Sequence, residues 1–307
     1  MTSACLICGG ATRRKLSVNS GPWSAEAKDY EIVRCATCHF EFVDPIPSTD
    51  ELLGQYDTDD FFEYSLFRNE IDLDDPAKTL PAPVIAANDD MLDYAEARLG
   101  RKGSFCDVGC GEGKVVWWAA HRGWDAAGIE PSEYAAKMAV SELEIDVRRG
   151  VLEDGLFDGR RFDVVSLSHV LEHLPDPMDA LKRLRDLVAD DGFLHIEIPN
   201  LNSLARYYAR DEWRHYVPPR HLVYFSNKTL RAALTQSGFA VTDSYARVMR
   251  PPFWKRGRSF KDVEMVPAEQ TGLRDNASLK QRAKATMRVP LERMRLLDNL
   301  HVWATPA

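Results

Sequence analysis

From residue 83 to residue 245, short apolar runs alternate with stretches whose apolar positions recur every three or four residues. The runs predict strands and the stretches predict amphipathic helices. Val84, Ile85, Met91, Leu92, Ala95 and Leu99 fall on one face of a helix from Pro83 to Leu99, stopped by Gly100. Predicted strands then follow in order: one starting at Phe105, then Trp124–Ile129, Ile145–Arg148, Phe162–Leu167, Phe193–Ile198 and Phe239–Tyr245. Between them, predicted helices start at Lys114, at the cap Ser132, at Met178 and at the cap Asn227. Such alternation predicts a doubly wound α/β sheet with helices on both faces and a ligand site at the carboxyl ends of its strands.

The flanks read differently. Tyr30–Arg34 and Phe40–Val43 alternate as short strands do, and they lie among two Cys-x-x-Cys pairs, Cys5/Cys8 and Cys35/Cys38, with 26 residues between the pairs. Each pair sets two sulfurs on one side of a tight turn, and two pairs complete a tetrahedron, so the spacing predicts a structural four-thiolate zinc site. A unit this small has little core, and the metal would supply its folding energy. This predicts a zinc ribbon over residues 1–48, a linker over 49–82 and a main domain over 83–307. Within the linker, the aromatic and acidic residues 56–64 read either as a solvated connector or as a lid. Near the other end, Leu279, Ala283, Met287, Leu291, Met294 and Leu297 recur at helical spacing, and Asn299–Ala304 alternates like a strand.

The main domain opens on Asp107-Val108-Gly109-Cys110-Gly111-Glu112-Gly113. Glycine at every second position lets the backbone approach a ligand closely, and the next helix presents its free N–H groups there. The dinucleotide fingerprint would need a glycine at 114, which is Lys114. A second acid, Glu130, closes the next strand at the distance that suits ribose hydroxyls. Cys106 and Cys110 read as small packing residues.

In these residues the chain resembles the class I S-adenosylmethionine (SAM)-dependent methyltransferases. The resemblance extends to Val170-Leu171-Glu172-His173-Leu174-Pro175-Asp176-Pro177 and to the segment Trp213–Ser226, with its Pro219-Arg220-His221-Leu222. It implies a seven-stranded Rossmann-like sheet whose last strand returns antiparallel, with residues 247–297 inserted before it. It also implies a cofactor site in which Asp107, Gly109 and Gly111 border the methionine end, Glu130 holds the ribose, Leu152 and Glu153 lie by the adenine, and Leu171 lies against the methionine half.

His169-x-x-Glu172-His173 also spells an inverted zincin motif, but that motif needs a helix, and here a strand ends and prolines follow. Methyl transfer from a sulfonium needs an aligned nucleophile and often a base. His221 and His173 are the candidates, each with a purely structural alternative. Sugar C-methyltransferases with a zinc ribbon carry an acid where this chain has Arg220, and their longer C-terminal domain is missing here. That departure points away from carbon deprotonation and towards an acceptor with an anionic group.

The chain has 307 residues, 45% of them hydrophobic, and a net charge of −8. The acidic balance disfavours a nucleic-acid partner, because phosphate binding needs a basic face. No apolar stretch approaches the ~20 residues that span a bilayer, and the first ten residues lack the features of a signal peptide. The expectation is therefore a cytoplasmic, SAM-dependent methyltransferase acting on a small biosynthetic molecule. Two alternatives remain: an RNA methyltransferase that reads RNA with its ribbon, and an enzyme doing intramolecular chemistry on SAM with aromatics such as Trp213, Tyr216 and Tyr64.

Overall fold

The computed structural model describes residues 2–20, 28–48, 51–52, 72–152, 155–157, 159–247 and 294–307. Its centre is a seven-stranded sheet. The strands are β4 (Ser104–Val108), β5 (Asp125–Glu130), β6 (Asp146–Arg149), β7 (Phe162–Ser168), β8 (Val188–Pro199), β10 (Phe239–Arg247) and β11 (Asn299–Pro306), in the spatial order β10-β11-β8-β7-β4-β5-β6. β6 to β8 are parallel, and β11 runs antiparallel to both β8 and β10. The last strand thus lies next to the sixth predicted one, as the resemblance implied, wedged between it and β8.

Burial explains the strand sequences. β4, β7 and β8 are covered on both faces, so Phe105, Cys106, Val164, Val165, Leu167, Leu194 and Ile196 are all fully buried. Their near-continuous apolar runs are what a central parallel strand requires. Helix α2 (Ala82–Leu99; α1 is the single turn Pro76–Thr79) ends where Gly100 adopts φ +70°. It packs Leu92 and Ala95 against Trp117 and Trp118 of α3 (Lys114–His121). α4 (Glu133–Leu143) is capped by Ser132, and α5 (Pro177–Leu187) by Asp176. α6 (Leu204–Ala209) and α7 (Asn227–Gln236) complete the set; Ser226 and Thr229 form a reciprocal capping box at the start of α7.

A second sheet joins the N-terminal ribbon to the main body. β1 (Thr12–Asn19), β2 (Asp29–Cys35) and β3 (Glu41–Val43) are antiparallel neighbours, and the fourth strand is β9 (Val223–Tyr224), contributed by the connection after β8. No sequence period signals β9, because two residues are too few to alternate. The aromatic segment 213–225 is therefore anchored on the ribbon.

Two expectations need correction. The C-terminal helix expected to run through Leu297 is not helical over 294–297, which form a turn and a bend; the rest of it lies outside the described residues. The fifth predicted strand is twice as long as its apolar run, because the polar residues Asp190 and Asp191 continue the extended backbone. The candidate lid 56–64 and the insertion over 248–293 lie outside the described residues.

Candidate active site

The glycine turn sits at the carboxyl end of β4. Gly109, Gly111 and Gly113 take φ values of +71°, +55° and +79°, a region that L side chains rarely enter. At Gly109 an added Cβ would come within 2.5 Å of Val170 Cγ2, so the turn and the loop after β7 touch with no room for a side chain. Glu130, at the end of β5, is buried and accepts from the backbone N–H of Gly111 (2.8 Å) and of Ser132 (2.9 Å). Burial raises its pKa despite these bonds. Asp107 lies on β4 beside Ser166, whose hydroxyl donates to it. Burial, against that bond and with the charge of Glu130, lifts Asp107 to about 7.

Leu152 follows β6, half-buried against the core. Glu153 lies outside the described residues. Leu171 is fully buried in the turn after β7. The cradle of bare backbone, the two enclosed carboxylates and the apolar wall fit an adenosyl amino acid. The sequence reading missed Glu112, whose Oε1 is buried in the glycine turn with no hydrogen-bond partner. Its neighbour Lys114 bonds the other oxygen. Only burial distinguishes it from a surface acid.

Three side chains from two loops converge. One donor atom each from Glu172, His173 and His221 lie within 4.8 Å of one another. The His173 and His221 rings meet edge to face, 4.9 Å between centroids. Both rings are oriented by main-chain carbonyls: His173 Nδ1–H donates to Arg220, and His221 Nδ1–H donates to His215 at 3.0 Å. The donation fixes the neutral tautomer of His221 and leaves its Nε2 with the lone pair. Burial lowers the pKa of both, and for His221 the closeness of other groups that can carry positive charge, His173 first and then His215, His169 and Arg220, adds to it. His215 stacks on His221 at 5.6 Å, and burial lowers it to about 3.

His169 behaves in the opposite way. Burial opposes its charge, but Glu172 and Glu197 outweigh that and raise it to about 10. Its Nδ1 lies 3.0 Å from Glu172 and its Nε2 3.6 Å from Glu197. Its backbone sits at φ +56°, a strained value for a non-glycine residue. Glu172, His173 and His221 are donors of a kind that bind metals. His169, its pKa raised by Glu172 and Glu197 and its ring 3.0 Å from Glu172, already gives that carboxylate a partner. Arg220, singled out in the sequence for its charge, contributes its carbonyl here. Trp213 and Tyr216, which the intramolecular alternative offered for shaping SAM, are buried at 2% and 5% exposure. They are buried in a cluster with Tyr30, Ile32, Val43 and Tyr224. Tyr64 lies outside the described residues.

At the far end of the ribbon the four cysteine sulfurs come together. Cys5 and Cys38 are 3.5 Å apart, as are Cys8 and Cys35. Four thiolates at about 2.3 Å from a tetrahedral zinc would stand about 3.8 Å apart. The backbone N–H groups of Thr37 and Cys38 point at Cys35 Sγ from 3.3 and 3.4 Å. Burial opposes a Cys35 thiolate, yet these bonds bring its pKa to about 6. The set fits zinc, with every coordination position filled by sulfur.

Residues 83–244 match a family model described as a methyltransferase domain, over more than half of the chain. The chain belongs to the class I SAM-dependent methyltransferases. Among curated proteins it is 33% identical over 132 residues to a ubiquinone biosynthesis O-methyltransferase of Actinobacillus pleuropneumoniae, covering 38% of this chain and 56% of that protein. A protein of the same description from Coxiella burnetii is 30% identical over 132 residues, covering 41% and 56%. The chain thus spans about half the length of the curated relatives it matches. Among solved structures, magnesium protoporphyrin IX methyltransferase from Synechocystis with bound S-adenosylhomocysteine (SAH) superposes with a TM-score of 0.54 at 13% identity, over 85% of this chain and all of that one. The [4+2]-cyclase SpnF gives 0.52 at 16% identity, over 85% and 97%. Both share the fold, and the second shows that the fold alone does not dictate methyl transfer. Among the described residues no helix is long and apolar enough to cross a membrane.

Proposed function

We propose that this methyltransferase alkylates a hydroxyl oxygen of a small phenolic molecule and that His221 takes the proton. The observation that carries the reading is the pair of neutral, carbonyl-oriented imidazoles, His173 and His221, the first of them in the loop whose Val170 meets Gly109 of the glycine turn. SAM, when bound, supplies the electrophilic methyl group and leaves as a neutral thioether. Gly109 and Gly111 would border its methionine end, with Asp107 and Leu171 behind them. Glu130 would exchange the Gly111 N–H for ribose hydroxyls, and Leu152 would flank the adenine, with Glu153 proposed for its amine.

The acceptor oxygen loses its proton to His221 Nε2, the nitrogen that carries the lone pair. A histidine of lowered basicity is a poor match for an aliphatic alcohol. A phenol, with a pKa of about 10, is closer. The description of the curated relatives, ubiquinone biosynthesis O-methyltransferase, supports transfer to oxygen. We further assign zinc to Cys5, Cys8, Cys35 and Cys38 as a structural ion, since four thiolates leave no site for water.

An RNA acceptor has less support. In the ribbon, Arg14 pairs with Glu31 and Lys15 with Glu41, and the chain carries a net charge of −8.

The test combines SAH calorimetry with transfer of a labelled methyl group from SAM to catechol and to 3,4-dihydroxybenzoate. SAH binding with labelled phenol ether is the expected result, with the carboxylated ring preferred if the acceptor is anionic. SAH binding with label appearing only in added RNA would replace this reading. A His221→Ala variant should keep its SAH affinity and lose about 10²- to 10⁴-fold in turnover; unchanged turnover would remove His221 from the mechanism.

A further inference from the structure

The ribbon does more than sit beside the active site: a continuous hydrogen-bonded path leads from it to the histidine pair. The Val43 N–H of β3 donates to the carbonyl of Leu222 at 2.8 Å, and the Leu222 N–H donates to the carbonyl of Glu172 at 2.7 Å. Leu222 directly follows His221. The residue that holds the His221 backbone is therefore gripped on one side by the ribbon and on the other by the Glu172–His173 turn. β3 also pairs with β9 in the register Glu41–Tyr224 and Phe42–Val223, and the Tyr224 hydroxyl donates to the carbonyl of His221 at 2.9 Å.

A buried charge cluster locks the same junction. Glu41, 1% exposed, accepts from Tyr216 Oη at 2.6 Å and from Lys15 Nζ at 2.5 Å, with Arg206 and Arg34 each at 3.8 Å. Glu41 and Lys15 belong to the ribbon, Tyr216 to the loop that carries His221, and Arg206 to α6. Apolar packing follows the same path: Cys5, Ile7, Cys35, Phe40 and Phe42 share one core with Leu171, Leu222 and Phe225. The glycine turn is closed by Glu130 through the Gly111 N–H, a hydrogen bond that involves no ribbon residue, while Cys106, Val108, Ala127 and Ile129 of β4 and β5 belong to the same apolar core.

We propose that the ribbon is the positioning frame of the acceptor half of the site, with Glu41 as its positioning residue. Filling of the four-cysteine site fixes β3, and β3 and Glu41 in turn fix His221 against His173. SAM binding is independent of this path. The inference rests on the roles proposed above for His221 and for the cysteines, but its test needs no acceptor.

Hydrogen exchange followed by mass spectrometry, on the full chain with SAH present, reads each segment separately. Stripping zinc with a chelator, or replacing Glu41 with Ala, should speed exchange over 213–225 by at least about tenfold while 104–130 stays protected and SAH still binds. In the nitrogen-15 spectrum of labelled histidine, the hydrogen-bonded Nδ1 proton of His221 should shift or vanish in Glu41→Ala. Glu41→Gln retains an acceptor for the Tyr216 hydroxyl and should restore part of that signal. Increased exchange confined to residues 1–48, or an unchanged His221 signal in Glu41→Ala, would overturn the proposal. So would opening that spreads equally to 104–130. Should His221→Ala prove fully active, the catalytic reading would fail while the exchange result stood, so the two failures are separable.

Discussion

The two halves of the site are built in contrasting ways. The centre of the cofactor half is one strand, one turn and one helix, residues 104–121, closed by Glu130 from the adjacent strand, with Leu152 and Leu171 added from the loops after β6 and β7. The acceptor half draws Glu172 and His173 from after β7, His221 from a segment almost fifty residues further on, and its support from Val43 and Glu41 in the ribbon. A local motif can be inherited whole; the family model that covers it, residues 83–244, extends over His173 and His221 as well. A composite of distant segments can change its chemistry by altering one loop or one support, and Arg220, beside His221, lies in such a loop.

The largest effect separating the halves is expected at Gly109. In Gly109→Ala the new methyl would meet Val170 at a distance no real Cβ shows, at a φ of +71°. SAH affinity should fall by at least about 100-fold, equal to about 2.7 kcal/mol, with the strain and the displaced loop both contributing. Calorimetry reading wild-type affinity would break the claim that the turn touches the β7 loop.

Next in size is the support of the acceptor half. Glu41→Ala removes one partner of a buried ion pair and strands Lys15, so unfolding free energy in urea should drop by about 3–5 kcal/mol. A loss below ~1 kcal/mol would mean that the junction is wet and weakly coupled.

Acid should weaken the fold through its buried histidines. The folded pKa values of His215, stacked on His221, and of His195, buried on β8 against His301 and Trp303, are lowered to about 3, chiefly by burial, so the unfolded chain binds more protons below pH 6.5, and stability falls as pH drops. At pH 5 each has lost up to about 2 kcal/mol, at about 1.36 kcal/mol per pH unit, or about 4 kcal/mol together. His169 works in the other direction. Raised to about 10, it stabilises fully below 6.5, and its contribution drains away as pH rises through 10. Urea midpoints from pH 5 to 10 should therefore peak near neutrality. A flat acid limb would contradict the burial of the histidine cluster.

The smallest effect belongs to the helix cap of α7, distant from both halves. Ser226→Ala breaks the capping box and should cost about 1 kcal/mol with no change in SAH affinity.

The sheet and the glycine turn were legible because each rests on short-range rules. Period-two and period-3.6 patterns mark strands and helices, and bare glycines mark backbone that must bend left-handed and approach a ligand. His221 and His173 were legible as residues but not as a pair, since nothing in their spacing says that their rings meet or which nitrogen each exposes. Glu41 gave no signal at all: in the sequence it is one acid in a short strand, and only burial beside Lys15 and Tyr216 gives it weight.

By itself, then, the sequence determined the fold, the enzyme family and the four-cysteine cluster, because contiguous residues carry those through local backbone geometry and side-chain spacing. The tertiary structure alone decided that the ribbon and the acceptor loop share a sheet, that Leu222 bridges them to Glu172, and that one histidine of the cluster is charged while its neighbours are neutral. Those outcomes depend on burial and on distances between segments up to about two hundred residues apart, where electrostatics is set by what surrounds a group rather than by what precedes it in the chain.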